Sequence, residues 1–94
     1  MKLRKRPPTH PGGILKRNYI EQSVITLSQL ADILSLPEET VSEVVNGRAP
    51  VTADMALRIS RAFSTSTELW LNMQQYYDLW HAVNDSREWE NVNF

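Results

Sequence analysis

The 94-residue sequence contains no cysteine and no long apolar run. Without cysteine there can be no disulfide, no zinc–thiolate site and no thiol nucleophile. No stretch approaches the roughly 18 consecutive apolar residues that span a bilayer. The basic start, residues 1–8, is not followed by the apolar segment of a signal peptide. These absences predict an intracellular, cytoplasmic protein.

The chain also lacks a strong net charge, which is −1 at pH 7. The distribution of charge is uneven, because residues 1–25 carry six basic residues and one acidic residue. Residues 26–63 carry three basic and five acidic residues, and residues 64–94 carry one basic and five acidic residues. A basic N-terminal part can meet phosphates, and an acidic C-terminal part can meet a basic partner.

Nothing in the sequence has the spacing of a catalytic or metal site. The two histidines are His10 and His81, and neither has potential ligands at metal-site spacing. Gly12 and Gly13 are not followed by the Gly-Lys-Ser/Thr of a phosphate-binding loop, so we interpret them as a loose helix start. We therefore expect no enzyme, no cofactor and no bound metal.

Apolar residues recur at intervals of three and four along most of the chain, and no segment alternates as a strand does. This pattern predicts an all-α fold of five helices that ends in a long C-terminal helix. Thr65 and Glu68 have the spacing of a capping box, Pro37 suits a first helical position, and Asn46-Gly47 suits a helix end. The predicted segments are a flexible basic arm (1–9), helices at about 12–22, 27–35, 37–46, 52–63 and 66–83, and an acidic tail (84–94).

The second and third predicted helices are short and are joined by a tight turn. Apolar or small residues occupy the positions that two steeply crossed helices bury against each other. Those positions are Leu30, Ala31, Leu34, Leu36, Val41 and Val44. The arrangement leaves the outer face of the third helix free and is typical of a DNA-reading helix-turn-helix. From the residues alone, the alternative is a plain helical hairpin inside a bundle.

Several sequence blocks between about residues 10 and 80 form a recognisable series. They are His10-Pro11-Gly12-x-Ile14-Leu15, Leu30-Ala31-x-x-Leu34, Thr40-Val41-Ser42-Glu43-Val44-Val45-Asn46-Gly47-Arg48, Thr52-x-Asp54-Met55-Ala56-Leu57-Arg58-Ile59, Ala62-Phe63-x-Thr65-Ser66 and Trp70-Leu71-Asn72-Met73-Gln74. This series resembles the Xre/Cro (lambda-repressor-like) repressors and, among them, the HigA-type (VapI) antitoxins. The last block is the most specific part of the resemblance.

The resemblance implies a helix-turn-helix domain over residues 10–83 and the function of a type II antitoxin. Such an antitoxin neutralises a HigB-type ribonuclease toxin and represses its own operon as a homodimer. Three positions depart from the family pattern. Gly13 replaces the usual glutamate, and Ser35 replaces the usual glycine of the turn, which predicts an altered or slightly strained turn. The third helix begins with Pro37-Glu38-Glu39, where polar or basic residues are usual.

The resemblance places four side chains of the third helix at base edges, namely Glu38, Glu39, Thr40 and Glu43. Carboxylates oppose binding to duplex DNA, because affinity normally comes from Lys and Arg at phosphates. A glutamate can accept a hydrogen bond from the cytosine amino group, or acids in the first turn can simply stabilise the helix dipole. The predicted DNA-binding set is completed by Ser42, Asn46 and Arg48 and by the arm residues Lys2, Arg4, Lys5 and Arg6. The alternative for the arm is a solvated tail.

The fifth predicted helix carries two apolar stripes, which one small chain can hardly bury together. One stripe has heptad-like spacing and the other lies beside it. The predicted dimer interface on these stripes is Leu69, Trp70, Met73, Tyr76, Tyr77 and Trp80. A two-fold dimer would place two third helices about 34 Å apart and would imply a palindromic operator. The alternative is that both stripes are core.

The sequence leaves open where a toxin would bind and which of three functions applies. Trp89, among the acidic residues of the tail, either anchors a basic toxin or folds back on the fifth helix, and we favour the second. The chain is an antitoxin-repressor, a stand-alone repressor without a toxin, or a protein-binding module whose acidic third helix has lost affinity for DNA.

Overall fold

A computed structural model describes residues 5–22 and 24–93 of the chain. The described residues form helices and loops, with no strand among them, and none of their helices is both long and apolar enough to cross a membrane. The all-helical prediction with a long C-terminal helix is therefore confirmed. The elements are α1 (Pro11–Leu15), a π-helical continuation (Lys16–Ile20), α2 (Leu27–Leu34), α3 (Glu38–Val45), α4 (Ala53–Phe63), α5 (Thr67–Asp85) and a 3-10 turn (Glu88–Asn91).

One apolar core joins the first four helices and is closed by the start of α5. Its members are residues that the helical spacing turns to the same side of each element. They are Leu15, Leu30, Ala31, Leu34, Val41, Val44, Val45, Val51, Met55, Ala56, Ile59 and Trp70. The inner positions predicted for a helix-turn-helix lie in this core or, for Leu36, pack against it. The two short helices are thus held together mainly by tertiary packing, since isolated helices of eight residues are unstable.

The backbones of α1 and α3 touch at Gly12. A Cβ atom at this position would overlap the carbonyl oxygen of Val44. Gly12 lies in the first turn of α1, so the predicted helix start is confirmed, but it is not loose, because the lack of a side chain lets two helices approach closely. By contrast, a Cβ atom at Gly13 would meet only the Cγ2 atom of Thr9 within 4 Å, at 3.2 Å.

His10 caps the start of α1 from a buried position. Its Nδ1 atom accepts a hydrogen bond from the Gly12 N–H at 2.9 Å, and its ring packs edge-on against Tyr77 with centroids 4.8 Å apart. Burial lowers the pKa of His10, against an opposing effect of the Asp78 carboxylate. A lowered pKa keeps the ring neutral near pH 7, which the Nδ1 acceptor requires.

The turn between α2 and α3 contains a serine in the left-handed conformation. Ser35 has φ 55° and ψ 46°, a region that costs a residue with a Cβ atom roughly 1–2 kcal/mol. The N–H of Leu36 bonds to the carbonyl of Ala31 at 3.0 Å and closes the end of α2. The strained turn predicted from the missing glycine is confirmed.

The first helix differs from its predicted extent of 12–22. It begins at Pro11, widens to a π-helix at Lys16 and ends at Ile20. In the wider turn, Tyr19 stacks on Phe63 with ring centroids 4.0 Å apart, and Ile20 also packs against the core. Apolar spacing alone could not reveal the extra residue in this turn, because π-turns are set by such packing rather than by propensity.

The third and fifth helices also begin differently from the prediction. Pro37 is the N-cap of α3 and not its first helical residue. Ser66, rather than Thr65, caps α5 by accepting the Leu69 N–H at 3.2 Å. Thr65 is instead held by the indole N–H of Trp70 at 2.7 Å, so it cannot form the predicted capping box with Glu68.

The region predicted as a tail from residue 84 is partly helical. α5 continues to Asp85, supported by the contact of Asp85 with the His81 ring at 2.9 Å. The 3-10 turn that follows is held by two bonds from the Arg87 guanidinium to Glu90. The Trp89 indole donates to the Ser86 carbonyl at 2.9 Å.

We predict that Gly12→Ala destabilises the fold far more than Gly13→Ala. The new methyl group at residue 12 must push α1 away from the backbone of α3, at a cost of about 1–3 kcal/mol. Alanine at residue 13 meets only a side-chain methyl group that can move, and it gains helix propensity. Urea unfolding of both variants measures the difference, and equal midpoints would contradict the contact.

Candidate nucleic-acid interface

The outer face of α3 is uncovered by the rest of the described chain. Val41, Val44 and Val45 are buried on the inner side of the helix. The side chains predicted to meet base edges lie on the other sides: Glu38, Glu39 and Thr40 are exposed, and Ser42 and Glu43 are half-buried. The helix is eight residues long, and the major groove of B-DNA is wide enough to admit the diameter of an α-helix with such a free face.

The carboxylates at the start of α3 have a structural reason to be there. Glu38 and Glu39 are in the first turn, and Pro37 provides no side-chain hydrogen bond to the free amides. Negative charge next to these amides stabilises the helix dipole by some tenths of a kcal/mol when exposed. This stabilising role is compatible with contacts to cytosine, since both use the same exposed position.

The C-terminal end of α3 carries a polar cluster that includes a cation from the first helix. Asn46 donates through Nδ2 to the Ser42 carbonyl at 2.8 Å and contacts the Ser42 hydroxyl at 3.3 Å. The Lys16 ammonium donates to the Asn46 Oδ1 atom at 3.1 Å. Lys16 was not among the predicted site residues. The π-turn brings it here, and no local sequence signal marks that turn.

Arg48 lies just beyond α3 and is weakly paired. Gly47 ends the helix with φ 73°, and the backbone N–H of Arg48 bonds to the Glu43 carbonyl at 2.8 Å. The Arg48 guanidinium lies 3.6 Å from the Glu43 carboxylate, and its side chain is 66% exposed. Such an exposed pair contributes little to stability, so Arg48 can exchange this partner for a phosphate oxygen.

The other predicted basic residues are only partly within the described chain. Lys5 and Arg6 are exposed in a segment without helical structure. Lys2 and Arg4 lie outside the described residues. Arg17, on the π-turn next to Lys16, is exposed and adds a cation that the prediction also omitted.

The fifth helix presents an apolar outer face. Leu69 is 46% exposed and Tyr76 is 37% exposed, whereas Met73 and Trp80 are half-buried. At 100° per residue these four side chains fall within a sector of about 60°. They therefore form one continuous stripe, as the heptad-like spacing predicted, and we call these four residues the α5 stripe.

The prediction is wrong for Trp70, which was placed in the dimer interface. Its side chain is 2% exposed and its indole N–H is bonded to Thr65, so it belongs to the core of the single chain. Tyr77 is half-buried between the His10 and His81 rings. The second stripe of α5 thus faces inward, because only this side of the helix can close the core.

A short apolar groove lies at the far end of α5. Trp89 lines it with Leu79, Ala82 and Val83. This position means that Trp89 folds back on α5, as favoured from the sequence. Among the described residues, no group of three or more His, Cys, Asp or Glu side chains is placed to hold a metal ion.

Comparison with known proteins identifies the family to which the chain is similar. The family model described as "Helix-turn-helix" matches residues 17–70. The chain is 36% identical over 92 residues to the HTH-type transcriptional regulator YbaQ of Escherichia coli, covering 98% of this chain and 81% of YbaQ. It is 35% identical over 88 residues to the antitoxin HigA-1 of Vibrio cholerae, covering 94% of this chain and 83% of HigA-1.

A solved structure extends the comparison to the fold. The structure of the Pseudomonas aeruginosa antitoxin HigA with the higBA promoter is similar at a TM-score of 0.79 and 33% identity, covering 94% of this chain and 97% of that one. The names of these proteins are those of transcription regulators and antitoxins, not of enzymes. The chain therefore belongs to the helix-turn-helix family and, within it, to the group that contains the HigA antitoxins.

Proposed function

We propose that this chain is a cytoplasmic antitoxin that represses its own operon and neutralises a HigB-type ribonuclease toxin. Repression requires a surface that enters the major groove, and the uncovered outer face of α3 is the observation that carries this proposal. The Pseudomonas aeruginosa relative, whose structure contains its promoter, supports the assignment of that surface to DNA.

Attraction to DNA comes from cations around α3 rather than from its exposed face. Lys16 and Arg48 lie at the C-terminal end of the helix and Arg17 follows Lys16 on the π-turn, while the glutamates lie along its outer side. Phosphates meet the cations, and the carboxylates meet cytosine amino groups or water. Because the carboxylates oppose binding to most sequences, binding by one protomer is weak, and its phosphate contacts make it dependent on salt.

A dimer formed through the α5 stripe makes up for the weak binding of one protomer. Leu69 and Tyr76 are the more exposed members of the stripe, and adjoining exposed apolar side chains can mark a protein–protein interface. Two-fold packing of the stripe would bury Leu69 and Tyr76 and would duplicate α3 on one side of the molecule. A palindromic operator with half-sites about 34 Å apart matches such a pair of recognition helices.

A stand-alone repressor is the second candidate function. YbaQ, which carries the name of a transcription regulator and not of an antitoxin, favours it. The two candidates share the surface of α3 and differ in the need for a toxin. The acidic C-terminal part of the chain, with five acidic residues and one basic residue from residue 64 onward, favours a basic partner and therefore the antitoxin.

We predict that Arg48→Met and Lys16→Met each weaken binding to a duplex carrying the chain's own promoter and flatten its salt dependence. Loss of one phosphate contact lowers the slope of log K against log salt by about 0.9. Arg87→Met is the matched control, since it removes the same charge from the 3-10 turn at the acidic end of the chain. Fluorescence anisotropy at several salt concentrations measures the slopes. An identical slope for the control and the two variants would contradict the proposed phosphate contacts.

We predict that Leu69→Glu converts the dimer to a monomer and lowers affinity for the promoter at least tenfold. Two carboxylates would then face each other across the two-fold axis without solvent. Leu57→Glu is the matched control, because Leu57 is an exposed leucine of α4 outside the α5 stripe. Light scattering after size exclusion gives the mass of each variant. A Leu69→Glu protein that stays dimeric would exclude the α5 stripe as the interface.

We predict that the gene next to this one encodes a small basic ribonuclease that forms a complex with the chain. Co-expression should relieve the growth arrest that the ribonuclease causes alone, and the two proteins should co-purify at a fixed ratio. Repeating the purification with the tag moved from this chain to the ribonuclease controls for non-specific binding of either protein to the resin. If the neighbouring product is no ribonuclease, or the two proteins purify apart, the stand-alone repressor replaces the antitoxin.

A further inference from the structure

The guanidinium of Arg58, in α4, bonds to two backbone carbonyls at the end of α2 and to one carboxylate of its own helix. Its Nη1 atom donates to the Leu34 carbonyl at 2.7 Å and to the Ser35 carbonyl at 2.9 Å. Its Nε atom donates to the Asp54 carboxylate at 2.8 Å, one helical turn earlier in α4. The guanidinium is therefore directed at the turn between α2 and α3 and is oriented by Asp54.

The carbonyls of Leu34 and Ser35 lie where α2 ends, so they depend on donors from outside the helix. The last carbonyls of an α-helix have no partner within the helix, and Leu34 is the last residue of α2. Ser35 is held in a left-handed conformation that a serine adopts only at a cost. A cation at the C-terminal end of a helix also interacts favourably with the helix dipole.

The same turn fixes how α3 leaves α2. Three residues, Ser35 to Pro37, separate the end of α2 from the first helical residue of α3. A change in the backbone angles of Ser35 would shift the N-terminal end of α3, because no flexible linker intervenes. The outer face with Glu39 and Glu43 would then meet the groove at a different angle.

We propose that Arg58 is a positioning residue for the DNA-reading face of α3, acting through the left-handed Ser35 turn and without touching DNA. The proposal rests on the proposed binding of DNA by α3. Arg58 fits this role because its planar fork can hold several oxygens in fixed directions, whereas a lysine ammonium is a single mobile charge. Its Nε and Nη1 atoms donate to protein oxygens, so the proposed role needs no contact of Arg58 with a phosphate.

The test compares four variants on two duplexes, one carrying the chain's own promoter and one with the same bases in scrambled order. Arg58→Met should lower affinity for the promoter about tenfold, equivalent to roughly 1.4 kcal/mol, and leave the salt slope unchanged. Arg58→Lys should lose most of this affinity as well, and Asp54→Asn should lose less. Arg61→Met is the matched control, since it removes an exposed arginine from the last turn of the same helix.

A second measurement separates positioning from general stability. Amide hydrogen exchange at Leu36, whose N–H bonds to Ala31, should accelerate in Arg58→Met at a temperature where circular dichroism shows a folded protein. A loss of stability alone would lower affinity for both duplexes equally. If Arg58→Met does not fold, Arg58→Lys and Asp54→Asn give the same comparison.

The outcomes distinguish this inference from the function on which it rests. Equal promoter affinities of Arg58→Met and Arg61→Met would overturn the positioning role while leaving the function intact. A salt slope lowered by about 0.9 in Arg58→Met alone would also overturn it, because Arg58 would then be a phosphate contact. A wild-type protein that binds both duplexes equally would overturn the function itself, and the positioning role with it.

Discussion

The close approach of α1 and α3 at Gly12 is the constraint on which the surface of the molecule depends. It lets the backbone at Gly12 lie against the Val44 carbonyl, and the inner valines of α3 then fill the core. Tight packing leaves such a helix little freedom to rotate. The side opposite the valines is consequently exposed, and it stays in one orientation. A short helix thus presents one exposed face whose direction is set by its packing against the core.

In the proposed complex with DNA, cations beside α3 provide affinity and the glutamates on α3 provide selection. Lys16 of the π-turn contacts Asn46 at the end of α3, and Arg48 lies in the loop that follows the helix. The glutamates lie on the helix itself. Phosphate contacts do not depend on the base sequence. Carboxylates at base edges disfavour binding to most sequences and allow it at the few that offer a hydrogen-bond donor. Such a surface would bind DNA of unrelated sequence weakly. Repulsion by the carboxylates and attraction by the cations would then both contribute to selection of the operator. The net charge of −1 therefore gives no measure of affinity for DNA.

The sequence predicted what depends on local periodicity and missed what depends on packing between elements. Leu30, Ala31 and Val41 could be placed in the core because helical spacing alone turns them inward. The strain at Ser35 could be predicted because only glycine adopts that conformation freely. The roles of Gly12 and Arg58 depend on partners more than 20 residues away, so no local signal carries them. Trp70 was misplaced for a related reason, since periodicity shows two stripes on α5 but not which one faces the core.

The inner side of α5 links the proposed dimer interface to the reading surface. The Gln74 Oε1 atom accepts the N–H of Val51 at 2.8 Å, in the loop that follows α3. Three residues further along α5, Tyr77 packs on His10, which caps α1 at the point where α1 touches α3. The C-terminal part of α3 and the loop after it are thereby tied to one helix, whose outer side carries the α5 stripe. Two protomers joined through that stripe would hold their α3 helices at a fixed distance, because buried contacts connect α5 to the α3 region. The spacing of the operator would then follow from the geometry of α5.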